Sequence, residues 1–167
     1  AARETLSSSS RPRRPPLYCT MNANEWAMVD AINAARAARG LATLQGNDRL
    51  ATAARGHSED MATHPGMVHV GSDGAQGGER IHAAGYQWTL WGEVVGWGFE
   101  GQIAPMVNWW LNSPDHARRV LDPNMADIGV GYATGLGPWG SYWTVNTAAG
   151  DSGGYSEYLA AVVAGGW

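Results

Sequence analysis

Asp127-Ile128-Gly129-Val130-Gly131-Tyr132-Ala133 leads through the turn Thr134 to Gly140 into Ser141-Tyr142-Trp143-Thr144-Val145-Asn146-Thr147. Two runs of β-branched and aromatic residues flank a linker rich in glycine and proline, which predicts paired antiparallel strands around a turn. The sequence before them has a different period. Asn22 followed by Glu25 approximates a capping box, Val29, Ile32 and Ala35/Arg36 recur at helical spacing, and Gly40 supplies a stop. A second helix is predicted from Asn47 or Asp48 to about Ala62. Leu50, Ala54, His57 and Met61 share one of its faces, and Pro65 bars continuation. Glu79 to Ala84 reads as a short helix ended by Gly85, and Gln87 to Gly98 as a strand broken near Gly92. Ile103, Met106, Val107 and Trp110 mark a further helix. Helices first and paired strands last give an α+β domain whose central antiparallel sheet is covered by helices.

The bulk numbers suit one folded domain. The chain has 167 residues, 44% hydrophobic and 16% charged, which is too apolar for a disordered segment. A formal charge of −4 argues against nucleic acid, whose phosphates call for a basic face. No uninterrupted apolar run approaches the roughly 20 residues that span a bilayer, so no transmembrane segment is expected. Every cationic side chain is arginine, and Cys19 is the single cysteine, so no internal disulfide can form. Residues 1–20, with Ser7 to Ser10 and Arg11-Pro12-Arg13-Arg14-Pro15-Pro16, read as an extended tail and contain no apolar signal-peptide core. The domain is expected over 21–150, with a C-terminal extension over 151–167.

Chemistry concentrates at His69, Glu93 and His116. Two imidazoles and a carboxylate can bind a divalent metal or form an acid/base set. In Ser113-Pro114-Asp115-His116, Ser is a favoured N-cap, Pro a favoured first residue, and Asp suits the first turn. That puts His116 in the first turn of a helix, where the positive helix end favours a neutral ring. Glu93 lies in the hydrophobic run Leu90-Trp91-Gly92-Glu93-Val94-Val95 and needs a partner if buried. His57, on the apolar face of the second helix, reads as a structural histidine, and His64 and His82 have no evident partners. The nine tryptophans are mostly core in character, although exposed indole faces can take a sugar or a lipid.

In order along the chain come Ile32-Asn33-Ala34-Ala35-Arg36 with Gly40-Leu41, His57-Ser58 with Asp60-Met61, His69 to Gly74, Arg80-Ile81 with Gly85-Tyr86, Gly92-Glu93, Trp110 to His116, Ile128-Gly129-Val130-Gly131, and Tyr142-Trp143-Thr144. Together these words, from Glu25 to Asn146, resemble the CAP superfamily of cysteine-rich secretory, antigen 5 and pathogenesis-related class 1 proteins, most closely its cysteine-poor bacterial branch. The resemblance implies an α-β-α sandwich with a cleft, and a site of two His and two Glu that can coordinate zinc or another divalent ion. By motif the first His falls on His69, one Glu on Glu93 and the last His on His116. The second Glu position carries Ser113, and Val94 replaces the Asn that follows Glu93 in the family word.

The expectation is therefore a secreted bacterial binding or interaction module, its signal peptide outside this chain. His69, Glu93 and His116 are expected to line its cleft, hold a divalent metal such as zinc, and receive a lipid or other small ligand. A metal-dependent hydrolase, with Glu93 activating a water between His69 and His116, is the first alternative. Attachment to cell-wall glycan through exposed tryptophans is the second. Oligomeric state is not legible.

Overall fold

The computed structural model describes residues 20–64, 66–135 and 139–151. The expected tail with Cys19, the middle of the turn before Ser141, and the C-terminal extension beyond Asp151 lie outside the described residues. Five helices and four strands follow in the order α1 (Ala23–Ala37), β1 (Gln45–Gly46), α2 (Asp48–Thr63), α3 (Gly77–Ala83), β2 (Gln87–Trp97), α4 (Ile103–Leu111), α5 (Pro114–Val120), β3 (Asp127–Thr134) and β4 (Ser141–Asp151). No helix among the described residues is long and apolar enough to cross a membrane.

The start signals act as their residue types require. Asn22 and Glu25 form the reciprocal cap of α1, each side chain 2.9 Å from the other's backbone nitrogen. Glu25 does more than cap: fully buried, it pairs with Arg55 of α2 and accepts the Tyr132 N–H of β3. Asn47 caps α2, and Gln76 with Glu79 starts α3 two residues earlier than the periodicity places it.

The sheet runs in the order β1-β3-β4-β2. β3–β4 and β4–β2 are antiparallel, and the two-residue β1 adds a parallel edge beside β3. Strand β2 passes Gly92 unbroken, contrary to the expected interruption, because Gly92 pairs with Thr147 in regular register. The irregularity falls instead between Trp88 and Leu90.

Strand alternation sorts the side chains between two layers. Val94, Ile128, Val130, Trp143 and Val145 pack with Met28, Val29 and Ile32 of α1 and Met106, Val107 and Trp110 of α4. On the other face α2 lies almost directly on the backbone of β3. A Cβ added to Gly129 would be 2.1 Å from the Ala51 nitrogen, and one on Gly131 2.1 Å from the Arg55 nitrogen. Only glycine fits there, so the word Ile128-Gly129-Val130-Gly131 offers side chains to one layer and bare backbone to the other. Leu50, Ala54, His57 and Met61 form the buried inner face of α2, as their spacing predicts. The result is the α-β-α sandwich, with β2 at an edge between α3 and α5.

Candidate functional site

Glu93 is the centre of the site. Strand alternation turns it, with its partner Asn146 on β4, toward the α2 layer, where it is 2% exposed. A buried carboxylate costs several kcal/mol unless it is paired and hydrogen-bonded. Arg80 of α3 does this: its Nη2 lies 3.0 Å from Oε1 and 2.8 Å from Oε2. The same guanidinium donates to the carbonyls of His69 (3.0 Å) and Ala75 (2.7 Å), so one cation ties the 69–75 loop to the edge strand. Gly77 leaves the necessary room, since a Cβ there would be 3.0 Å from Glu93 Oε2.

His69 meets Glu93 through Nδ1, 3.1 Å from Oε1, and its side chain remains 49% exposed. With its amide oriented to satisfy both neighbours, Asn146 donates to Glu93 Oε2 at 3.0 Å and accepts from the Ala54 N–H. Val94, at the position of the family's Asn, faces the opposite core layer. An amide therefore reaches Glu93 from the neighbouring strand.

His57 forms the back wall. Its Nε2 is 2.6 Å from the Val68 carbonyl, which makes that nitrogen the donor, and 4.0 Å from Glu93 Oε1. Burial pushes its pKa below the ordinary value, with nearby Glu93 opposing the shift. It is a buried, bonded histidine, as its place on α2 suggests, but it also borders the site.

His116 arrives from the other side of β2. Ser113 is the N-cap residue and Pro114 opens α5, as predicted, yet the Ser113 hydroxyl does not cap the backbone. It bonds His116 Nδ1 at 2.8 Å instead. The ring packs against Trp109, centroids 4.8 Å apart. Its pKa is lowered, first by burial and then by the neighbouring His69.

The structure thus brings His69 and Glu93 into direct contact and places His116 beside His69, with its own bond going to Ser113. Arg80, Asn146 and His57 complete the site; sequence reasoning gave Arg80 and Asn146 no role in it and read His57 as structural only. The signal for a partner was present, because a glutamate in an apolar strand demands a cation. Nothing in eleven arginines singles out Arg80. His64 instead pairs with Asp60, and His82 with Gln87.

The donor set around Glu93 bears on zinc. Both Glu93 oxygens accept from Arg80, and the guanidinium stands where a metal bound to that carboxylate would meet a positive charge. Among the described residues no three His, Cys, Asp or Glu side chains converge as a metal site. In this arrangement Glu93 takes the role of a carboxylate that orients His69.

Residues 29–147 match the profile of the CAP, or cysteine-rich secretory protein, family. The chain is 30% identical over 145 residues to the uncharacterized protein YkwD of Bacillus subtilis, covering 86% of this chain and 51% of that protein. Among solved structures, an extracellular SCP-domain protein from Bacillus anthracis superposes with a TM-score of 0.67 at 24% identity, over 77% of this chain and 41% of that one. An outer surface protein from Borrelia burgdorferi gives 0.71 at 19% identity, over 80% and 98%. The chain spans about half the length of the Bacillus subtilis relative.

Proposed function

Since this chain belongs to the CAP family, the cysteine-rich secretory proteins, we propose that it is the binding domain of an exported bacterial protein and works as an interaction module. The observation that carries this reading is the closed polar floor of the cleft. Glu93 is neutralised by Arg80 and bonded to His69, so the carboxylate holds the cleft wall together and has no idle oxygen to take a proton from water. What faces solvent is the half-exposed His69, with His116 beside it. Two imidazoles on a rigid, neutral base suit recognition of a small polar ligand. Among the described residues, Ile32, Val107, Trp110 and Leu121 close together between α1, α4 and α5. The family's secretory description supports export.

The test is a calorimetric zinc titration of metal-stripped wild type beside the His69→Ala/His116→Ala double variant, with activated-ester turnover measured on wild type and Glu93→Gln. The expected result is no micromolar zinc binding that the double variant loses, and no Glu93-dependent turnover. Zinc-stimulated turnover abolished by Glu93→Gln would overturn the module in favour of the hydrolase. Micromolar zinc binding without turnover would keep the module and add a metal to its cleft.

A further inference from the structure

A second cleft lies beyond His116, where β2 ends. Trp97, Gly98 and Phe99 form one side, and Trp109 of α4 with Trp139 before β4 the other; it encloses about 340 Å³. Three of its rings face water to an extent unusual for such large apolar groups: Phe99 is 45% exposed, Trp109 46% and Trp139 54%. We propose that this cleft is a carbohydrate-binding site that takes the pyranose rings of a neutral oligosaccharide.

The cleft is built, and not merely uncovered. Phe99 and Glu100 both hold positive φ, +51° and +54°, a conformation that side chains other than glycine rarely adopt. The turn is kept there by its surroundings. The Ser141 hydroxyl donates to the Gly98 carbonyl at 2.9 Å, the Gly98 N–H to the Ser141 carbonyl at 3.2 Å, and the Gln102 N–H closes on Phe99. Relaxation into ordinary backbone would move Phe99, so the fold sustains strain to present an aromatic ring to solvent. On the opposite wall Trp109 is backed by His116, whose ring is itself fixed by Ser113. The family-signature histidine thereby serves as a buttress for the second cleft.

The chemistry of the lining selects the occupant. Among the described residues no charged side chain lines the cleft, which favours a neutral ligand. A quaternary ammonium prefers a closed aromatic box, and an acyl chain prefers a closed tunnel; this cleft is open along one side. A pyranose presents an apolar C–H face that lies flat on an indole or phenyl ring, and hydroxyls around its rim that stay in water. Spaced aromatic rings in an open, neutral groove match that pattern.

Intrinsic tryptophan fluorescence tests this, with titration of the full chain by cellotetraose, chitotetraose and mannotetraose. At least one sugar is expected to give a saturable change. Trp109→Ala and Trp139→Ala are each expected to weaken it tenfold or more, while Trp26→Phe, at an exposed tryptophan on α1 away from the cleft, leaves it unchanged. Trp139→Ala is the decisive variant, because a ring more than half exposed can be removed without unpacking the core. Circular dichroism checks that each variant folds. The proposal is overturned by no saturable change with any of the three sugars, by equal binding in the Trp109→Ala/Trp139→Ala double variant, or by Trp139-dependent binding to phosphatidylcholine vesicles in place of sugar.

Discussion

At the scale of single residues, the site is an electrostatic problem solved by Arg80. Arg80→Met strands the Glu93 carboxylate in a buried place with only His69 and Asn146 as donors. A loss of roughly 3 kcal/mol is expected, measured as the shift in urea midpoint at constant slope. Adding Glu93→Leu removes the orphaned charge, and the double variant should recover most of that loss. His57 makes a separate pH prediction. Its folded pKa lies below the ordinary 6.5 because burial disfavours the charged ring, although Glu93 and Asp60 act in the opposite direction and Arg80 with burial. The unfolded chain therefore binds the proton more readily, so the contribution is complete above about 6.5 and is lost as pH falls through the folded value. Wild type should lose stability steeply on mild acidification, and His57→Gln less so, in urea midpoints taken across that range. His116 shifts in the same direction and keeps part of the slope in the variant. Of this site the sequence shows His69, Glu93 and His116 through the words around them. It hides Arg80 and Asn146, whose roles arise from a register between distant strands and a helix docked on an edge.

At the scale of elements, local signals succeeded where the cause was local. The reciprocal cap at Asn22 and Glu25, the Asn47 cap, and the Ser113-Pro114 start all depend on neighbours within a turn, and all are present. The expected break in β2 at Gly92 failed for a tertiary reason: ten paired positions along β4 hold the strand straight through a residue that is weak by itself. β1 escaped notice because two residues carry no periodicity and pair only once β3 is in place. The glycines of β3 show how an element can be specified by what it lacks. Gly131→Ala would drive a methyl group into the backbone of α2, and since neither partner is a flexible side chain tip, the helix must lift. A loss at or above the usual 1–3 kcal/mol of overpacking is expected, with a matching fall in thermal midpoint.

At the scale of the whole molecule, the two layers are unlike. Trp110 is fully buried on the α1/α4 side and donates its indole N–H to the Val95 carbonyl at 2.9 Å, so it joins helix layer to sheet by both shape and polarity. Trp110→Ala is expected to cost about 3–5 kcal/mol and to lower the denaturation midpoint by all probes together. The α+β class was legible because β3 and β4 follow the last helix and pair around a turn; the layer each helix joins was not, except through the strand glycines. Those glycines also set how the molecule should respond to hydrostatic pressure. Pressure unfolds proteins by reclaiming the small voids that interlocking side chains leave between layers. Where α2 rests on Gly129 and Gly131 there is backbone against backbone and little volume to reclaim. Compression should therefore loosen the α1/α4 layer first, with α2 and β3 the last pair to separate.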